Sequence, residues 1–233
     1  MTPSDYKLRI SKKAKYLQLR LSHQGLEVII PAKKRLTQDA IEQFIQQKQK
    51  WIEKNRHVYD AQKEQSASRL PAAIPLHAIN QTWNVSYLPT LQKKIALFTN
   101  LSQQLTIMGD IANEQQCLKK LRQWLKEIAQ VHLSQHLTLL AQETQLTFKN
   151  LTIRNNSSRW GSCSSSGNIS LCCKLLFLPP ELMRHVLLHE LCHTKAMHHG
   201  KTFWRWLEKF DENARVHAKR LKAAAAQVPL WVR

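Results

Sequence analysis

Five of the chain's eleven histidines fall within HVLLHELCHTKAMHHG, residues 185–200. Inside this stretch His189, Glu190, Leu191, Cys192 and His193 spell HExxH. Residues four apart share one face of a helix, so His189 and His193 can offer two imidazole nitrogens to a single ion. Glu190 is rotated about 100° from His189. That sets it beside the ion, where a carboxylate can take a proton from a metal-activated water. Zinc suits such donors, because it accepts imidazole in tetrahedral geometry and leaves one position open.

A third ligand is available just beyond. His198 and His199 precede Gly200, a residue that can end a helix and let the chain fold back. Spacing alone does not separate these two, and Glu208 or Glu212 could serve instead, since zinc sites of two His and one Glu exist. His185, one turn before His189, reads as a helix-surface residue or as one facing the cleft. The competing reading is a soluble helix whose histidines are surface or satisfied core groups. Against it stand the helical pattern of the segment and its aliphatic neighbours, which could keep a site dry.

The elements that must position these groups follow from patterning. Pro179 and Pro180 set up a helix start, and Leu182, Met183, Val186, Leu187 and Leu191 give that helix a buried face. Strands are expected at 148–154 and 169–177, the second following the loop WGSCSSSGN at 160–168. The strand at 169–177 is a candidate edge for pairing with an extended peptide. Upstream, a helix over 113–142 carries the stripe Leu118, Leu121, Trp124, Leu125, Ile128, Val131 and Leu133. Short strands at 76–79, 82–87, 95–98 and 104–108 suggest a small antiparallel sheet. The chain opens with strands at 6–10, 16–21 and 26–30, with Gln24-Gly25 as a turn, and a helix from Thr37 to about His57. A polar linker is expected near 60–73. The reading is an α+β fold in two parts: a basic, strand-rich region over 1–110 and a catalytic domain over 111–233.

Composition bounds the function. With 233 residues the chain can bury a proper core. No apolar run approaches the roughly 18 residues that span a bilayer, and the N-terminus lacks a signal-peptide core, so a cytoplasmic protein without membrane contact is expected. The five cysteines, with Cys172 and Cys173 adjacent and no CxxC, read as reduced, packed thiols. The net charge of +19, with no Asp or Glu between Glu143 and Glu181, would attract polyanions such as nucleic acid, nucleotides or anionic lipid.

Three segments together carry a resemblance: SRWGSC at 158–163, ISLCCKLLFLP at 169–179 and LHELCHTKAMHHGKTFW at 188–204. They resemble the YgjP-like metallopeptidase domain family, a zincin branch related to the SprT and WLM groups. EVIIP at 27–31 and KQKWI at 48–52 also fit its N-terminal pattern. The resemblance implies a zincin-like domain with Zn2+ held by His189, His193 and His199 and with Glu190 as the catalytic acid/base. The family's four-residue step from the last ligand to a Phe, here Phe203, is what favours His199 over His198. Phe203 and Trp204 would then pack behind the site. The sequence departs at Cys172, where the family often has Asn, which bears on substrate preference more than on the metal.

The expected chemistry is zinc-dependent hydrolysis, with a peptide or protein as substrate. Arg159, on the loop before strand 169–177, is a candidate second donor to the oxyanion, or a structural arginine. Trp160 is expected in the core, and Gly161 at a turn with unusual backbone angles. The alternatives are a nucleoside triphosphate pyrophosphatase of the UTP type and a nucleic-acid-associated protein with a structural zinc. The former lacks a Gly-rich phosphate loop and a carboxylate cluster for magnesium. The latter needs a fourth protein ligand, His198 or Cys192, and Cys192 would point off the ligand face.

Overall fold

The computed structural model describes residues 6–11, 14–22, 25–32, 37–53 and 70–232. Most of the expected linker, Gln24 and the expected last turn of the first helix lie outside these residues. The chain forms two compact units, Met1–Ser68 and Arg69–Arg233. Residue 110 lies inside the second, between a strand and a helix that share one core.

In the first unit, β1 (Tyr6–Ser11), β2 (Gln18–Ser22) and β3 (Gly25–Pro31) form a sheet with β3 central, parallel to β1 and antiparallel to β2. Helix α1 (Gln38–Gln47) starts where the Thr37 hydroxyl accepts the Ala40 amide, an N-cap at the residue where the helix was expected to begin. Alternation along β3 turns Leu26 and Val28 to one face, and these form a small core with Ile41, Ile45 and Ile52.

The second unit opens with β4 (Ala73–Leu76), β5 (Gln81–Pro89), β6 (Ala96–Thr99) and β7 (Gln104–Gly109), in the order β4-β5-β7-β6. The expected antiparallel sheet is mixed, because β6 takes the edge and β5 runs parallel to β7. The strand expected at 76–79 is instead a 3-10 turn over His77–Ile79, closed by Asn80 in the left-handed conformation. Helix α2 (Glu114–Thr144) is capped by the Asn113 side chain. Its buried face runs through Leu118, Leu121, Leu125, Ala129, Leu133, Leu137 and Leu140, steps of three and four that keep to one stripe. Val131 leaves the expected stripe and is 53% exposed. Six residues past Leu125, it has turned roughly 240° away.

A second sheet in this unit is built from β8 (Asn150–Arg154), β9 (Gly161–Cys163) and β10 (Asn168–Cys172). β10 is central, parallel to β8 and antiparallel to β9. The strand expected over 169–177 therefore ends at Cys172 and is no edge. A wholly buried 3-10 segment, Cys173–Phe177, follows and leads into α3 (Pro180–Cys192). Helices α4 (Lys201–Phe210) and α5 (Ala214–Ala224) complete the unit. α3 is buried nearly all round, with Leu182, Met183, Val186, Leu187, Leu188, Leu191 and Cys192 in the core. Among the described residues no helix is long and apolar enough to cross a membrane.

The register of α2 is testable. Leu133→Ala is expected to lower the unfolding free energy by about 2–5 kcal/mol, whereas Val131→Ala should change it by less than about 0.5 kcal/mol. Urea melts that gave the two variants equal midpoints would contradict the assigned face.

Candidate metal centre

The end of α3 is where the core opens. His189 lies in the last helical turn and His193 caps it. The helix stops here rather than at Gly200. The Thr194 hydroxyl takes the Leu191 carbonyl at 2.7 Å, and the amides of Lys195 and Ala196 both close on the Cys192 carbonyl. This tight turn swings residues 195–199 back over the helix end, and Gly200 precedes α4.

The reversal brings three imidazoles together. His193 Nε2 lies 3.2 Å from His189 Nε2, and His199 Nε2 lies 2.9 Å from the same atom. His193 Nδ1 donates to the Ala196 carbonyl at 3.1 Å, which leaves its Nε2 lone pair facing the cluster. Phe203, fully buried, touches all three rings, with centroids 4.6 to 4.8 Å away. Two nitrogens bound tetrahedrally to one zinc stand about 3.3 Å apart, so the observed separations fit a shared ion. Protonation fits too. Burial first, then the neighbouring histidines, pushes His189 down to about 3, and burial lowers His193 as well. The neutral imidazole is the form that binds a metal.

Glu190 sits beside this cluster at 4% exposure. Burial raises its carboxyl to about 8, against a weaker downward pull from Arg159. Its Oε2 is buried without a hydrogen-bond partner among the described residues, so its bonding capacity is unused within the protein. Gly161 makes room for it. A Cβ at Gly161 would lie 2.6 Å from Glu190 Oε1 and 2.8 Å from its Cγ. The expectation of a turn with unusual angles is thus corrected. Gly161 is a strand residue without positive φ, and it is small because the carboxylate packs against its backbone.

A cleft of about 250 Å³ opens over these groups, walled by Gly161, Ser162 and Cys163 on one side and by Met197 and His199 on the other. The Cys172 amide bonds the Trp160 carbonyl and the Ser164 amide bonds the Asn168 carbonyl. By antiparallel alternation the backbone groups of Gly161 and Cys163 then point to the free edge of β9. Sequence missed this edge, since a three-residue strand inside a Ser/Gly-rich segment has no periodicity to read.

The remaining candidates fall elsewhere. His198 is exposed and outside the cluster. Glu208 pairs with Arg215 at 2.7 Å, and Glu212 is exposed. Cys192 is fully buried in the core, as its off-face position implies. Cys172 is buried at the end of β10, its thiol directed to the Asn156 carbonyl and away from the cleft lining. Arg159 is exposed and lies outside the lining residues, and Trp160 is half-buried against the core.

His185 is neither on the surface nor in the cleft. It is 2% exposed, with Nδ1 2.6 Å from Asp211 Oδ2. His217 Nδ1 approaches the same oxygen at 3.0 Å, and the Asn213 amide donates to Oδ1. Two ligands of one ion stand farther apart than 2.6 Å, so these are hydrogen bonds from imidazole to carboxylate. Burial would raise the Asp211 carboxyl, but the bonds from His217 and His185 outweigh it and hold the group below its usual range. The network ties α3, one turn before His189, to the turn between α4 and α5. Nothing in the sequence links positions 26 residues apart, so pattern reading could not find it.

The family described as YgjP-like, metallopeptidase domain, matches residues 15–224. Among solved structures, a segment covering 39% of this chain and 91% of the other is similar to the metallopeptidase zymogen of Pyrococcus abyssi, abylysin, at 28% identity and a TM-score of 0.35. None of the curated proteins compared matches the chain.

Two outcomes follow from the geometry. His185, His189 and His193 all hold a proton less tightly when folded than when unfolded. As pH falls through the ordinary imidazole range the unfolded chain binds protons that the folded chain refuses, so stability drops. Glu190, raised to about 8 by burial, takes up a proton in the folded chain over the same range and works the other way. In Glu190→Gln, which removes that opposing group, the Tm of chelator-treated protein should fall between about pH 7.5 and 5.5, and a flat profile would contradict the burial of these rings. Gly161→Ala should fold, because the flexible end of Glu190 can yield, yet hydrolytic turnover should fall about 100-fold as the carboxylate is displaced. Full activity in that variant would show that the Gly161 contact does not position the carboxylate.

Proposed function

The chain belongs to the YgjP-like metallopeptidase domain family, and from that premise we propose a zinc peptidase in which His189, His193 and His199 hold the ion and Glu190 is the general base. The observation that carries the reading is one constellation: three converging Nε2 atoms, an adjacent buried carboxylate with an unpartnered oxygen, and a free strand edge along the same cleft. Zinc would supply Lewis acidity toward the scissile carbonyl and the attacking water.

The protein's own groups do the rest. Glu190, with its affinity for protons raised by burial, takes the proton of the attacking water and passes it to the departing amine. The Ala196 carbonyl fixes the tautomer of His193, and Phe203 keeps water from the back of the three rings. An extended peptide can pair with the outward amides and carbonyls of Gly161 and Cys163, which brings its backbone to the carboxylate. The edge that serves is β9, not the strand at 169–177.

The charge of +19 motivates the alternative, a nucleotide hydrolase. The cleft lining contains one carboxylate, Glu190, where magnesium-dependent phosphohydrolysis calls for several oxygen ligands. One set of assays separates the two. Zinc-loaded protein is tested on an unfolded protein substrate, with and without single-stranded DNA, and on UTP, beside Glu190→Gln and His199→Ala. The expected result is peptide hydrolysis that drops by about 100-fold or more in Glu190→Gln with one metal per chain retained, and lost metal in His199→Ala. Hydrolysis of UTP alone, or a Glu190→Gln variant as active as its parent, would overturn the proposal.

A further inference from the structure

The segment that leads into the cleft wall at Gly161 carries an exposed arginine with no bonding partner among the described residues. No Asp or Glu occurs between Glu143 and Glu181, so the β8–β10 sheet and its loops hold Lys149, Arg154, Arg159 and Lys174 without an acidic residue of their own. Lys174 is buried and donates to the Asn156 carbonyl at 2.8 Å. Arg159 is different: exposed, and without a hydrogen bond or ion pair to any described residue. It stands two residues before Gly161, whose backbone touches the Glu190 carboxylate. It is too far from Glu190 to form an ion pair, yet near enough to act on it through space.

An arginine fork matches a carboxylate with two parallel hydrogen bonds, a geometry that lysine cannot reproduce. The position matters as much as the chemistry. A peptide lying along the free edge of β9 passes the β9 end at Gly161 within a residue or two of the bond presented to Glu190. Resting on the peptidase reading above, we propose that Arg159 binds a carboxylate of the substrate next to the scissile bond, making the cleft selective for acidic peptides. Two sources share this chemistry, an Asp or Glu side chain and a free peptide C-terminus.

Peptides of one length distinguish them. One series carries a single Glu moved through the positions flanking the cleaved bond, with an amidated C-terminus. A second has Gln in its place, also amidated. A third has Gln and a free C-terminal carboxylate. Binding is measured by fluorescence anisotropy on Glu190→Gln, and kcat/KM on the active protein. The expected result is a preference of about tenfold or more for Glu over Gln at one flanking position, carried mainly in KM. Arg159→Gln should bring that ratio to about one, Arg159→Lys should recover only part of it, and Arg159→Glu should invert it toward a Lys peptide. A preference confined to the third series would assign the carboxylate to the C-terminus and still support the role of Arg159. Equal binding of all series, or a Glu preference that survives Arg159→Gln, overturns the proposal. Because anisotropy does not require turnover, a protein that cleaves none of the peptides would refute the peptidase reading while the role of Arg159 is still decided by binding.

Discussion

A helix sealed in the core has to carry ionisable groups at its open end, and the second unit is arranged around that demand. α3 is apolar on nearly every side, yet it brings His185, His189 and Glu190 into low-dielectric surroundings where an unpaired charge is expensive. Each group is handled differently. His185 gains the Asp211 carboxylate. His189 stays uncharged and shares its nitrogen's surroundings with His193 and His199. Glu190 keeps one oxygen unpartnered. Only the last two face the cleft, so the arrangement separates the groups that hold the helix from those that act on a substrate.

Much of this was legible in the sequence. HExxH on a segment with a buried face required only helical periodicity, and the helix start at Thr37 followed from residue type. What escaped was non-local. The 3-10 segment at Cys173–Phe177 reads as strand because its apolar run is continuous, and only its place between a central strand and α3 makes it otherwise. The mixed order of the first sheet in this unit depends on which edge β6 selects. Asp211 and His217 belong to the site's support only because the turn after α4 folds against α3. Gly161 reads as a turn residue with unusual backbone angles, whereas its use is small size, since close approach by a distant carboxylate leaves no local signature.

Phe203 shows how an apolar residue can matter to a polar centre. It touches all three imidazoles from behind, which fixes ring planes that would otherwise turn about their side-chain bonds. Because it lies on α4 and the rings lie on α3 and the reversal after it, the packing of two helices and one loop meets at a single side chain. The Arg215 guanidinium, stacked 3.7 Å over the neighbouring Trp204, fastens the outer side of α4 in the same way.

The contact between Gly161 and Glu190 has a further consequence for how such a cleft can diversify. On the side where Glu190 meets β9 its neighbour is main chain, not side chain, because a Cβ at position 161 would collide with the carboxylate. Side chains along the rest of the edge strand can then change which peptides are admitted while the carboxylate keeps its seat, whereas Arg159, whose charge reaches Glu190, bears on both. One glycine is thus the fixed point on which the base is seated.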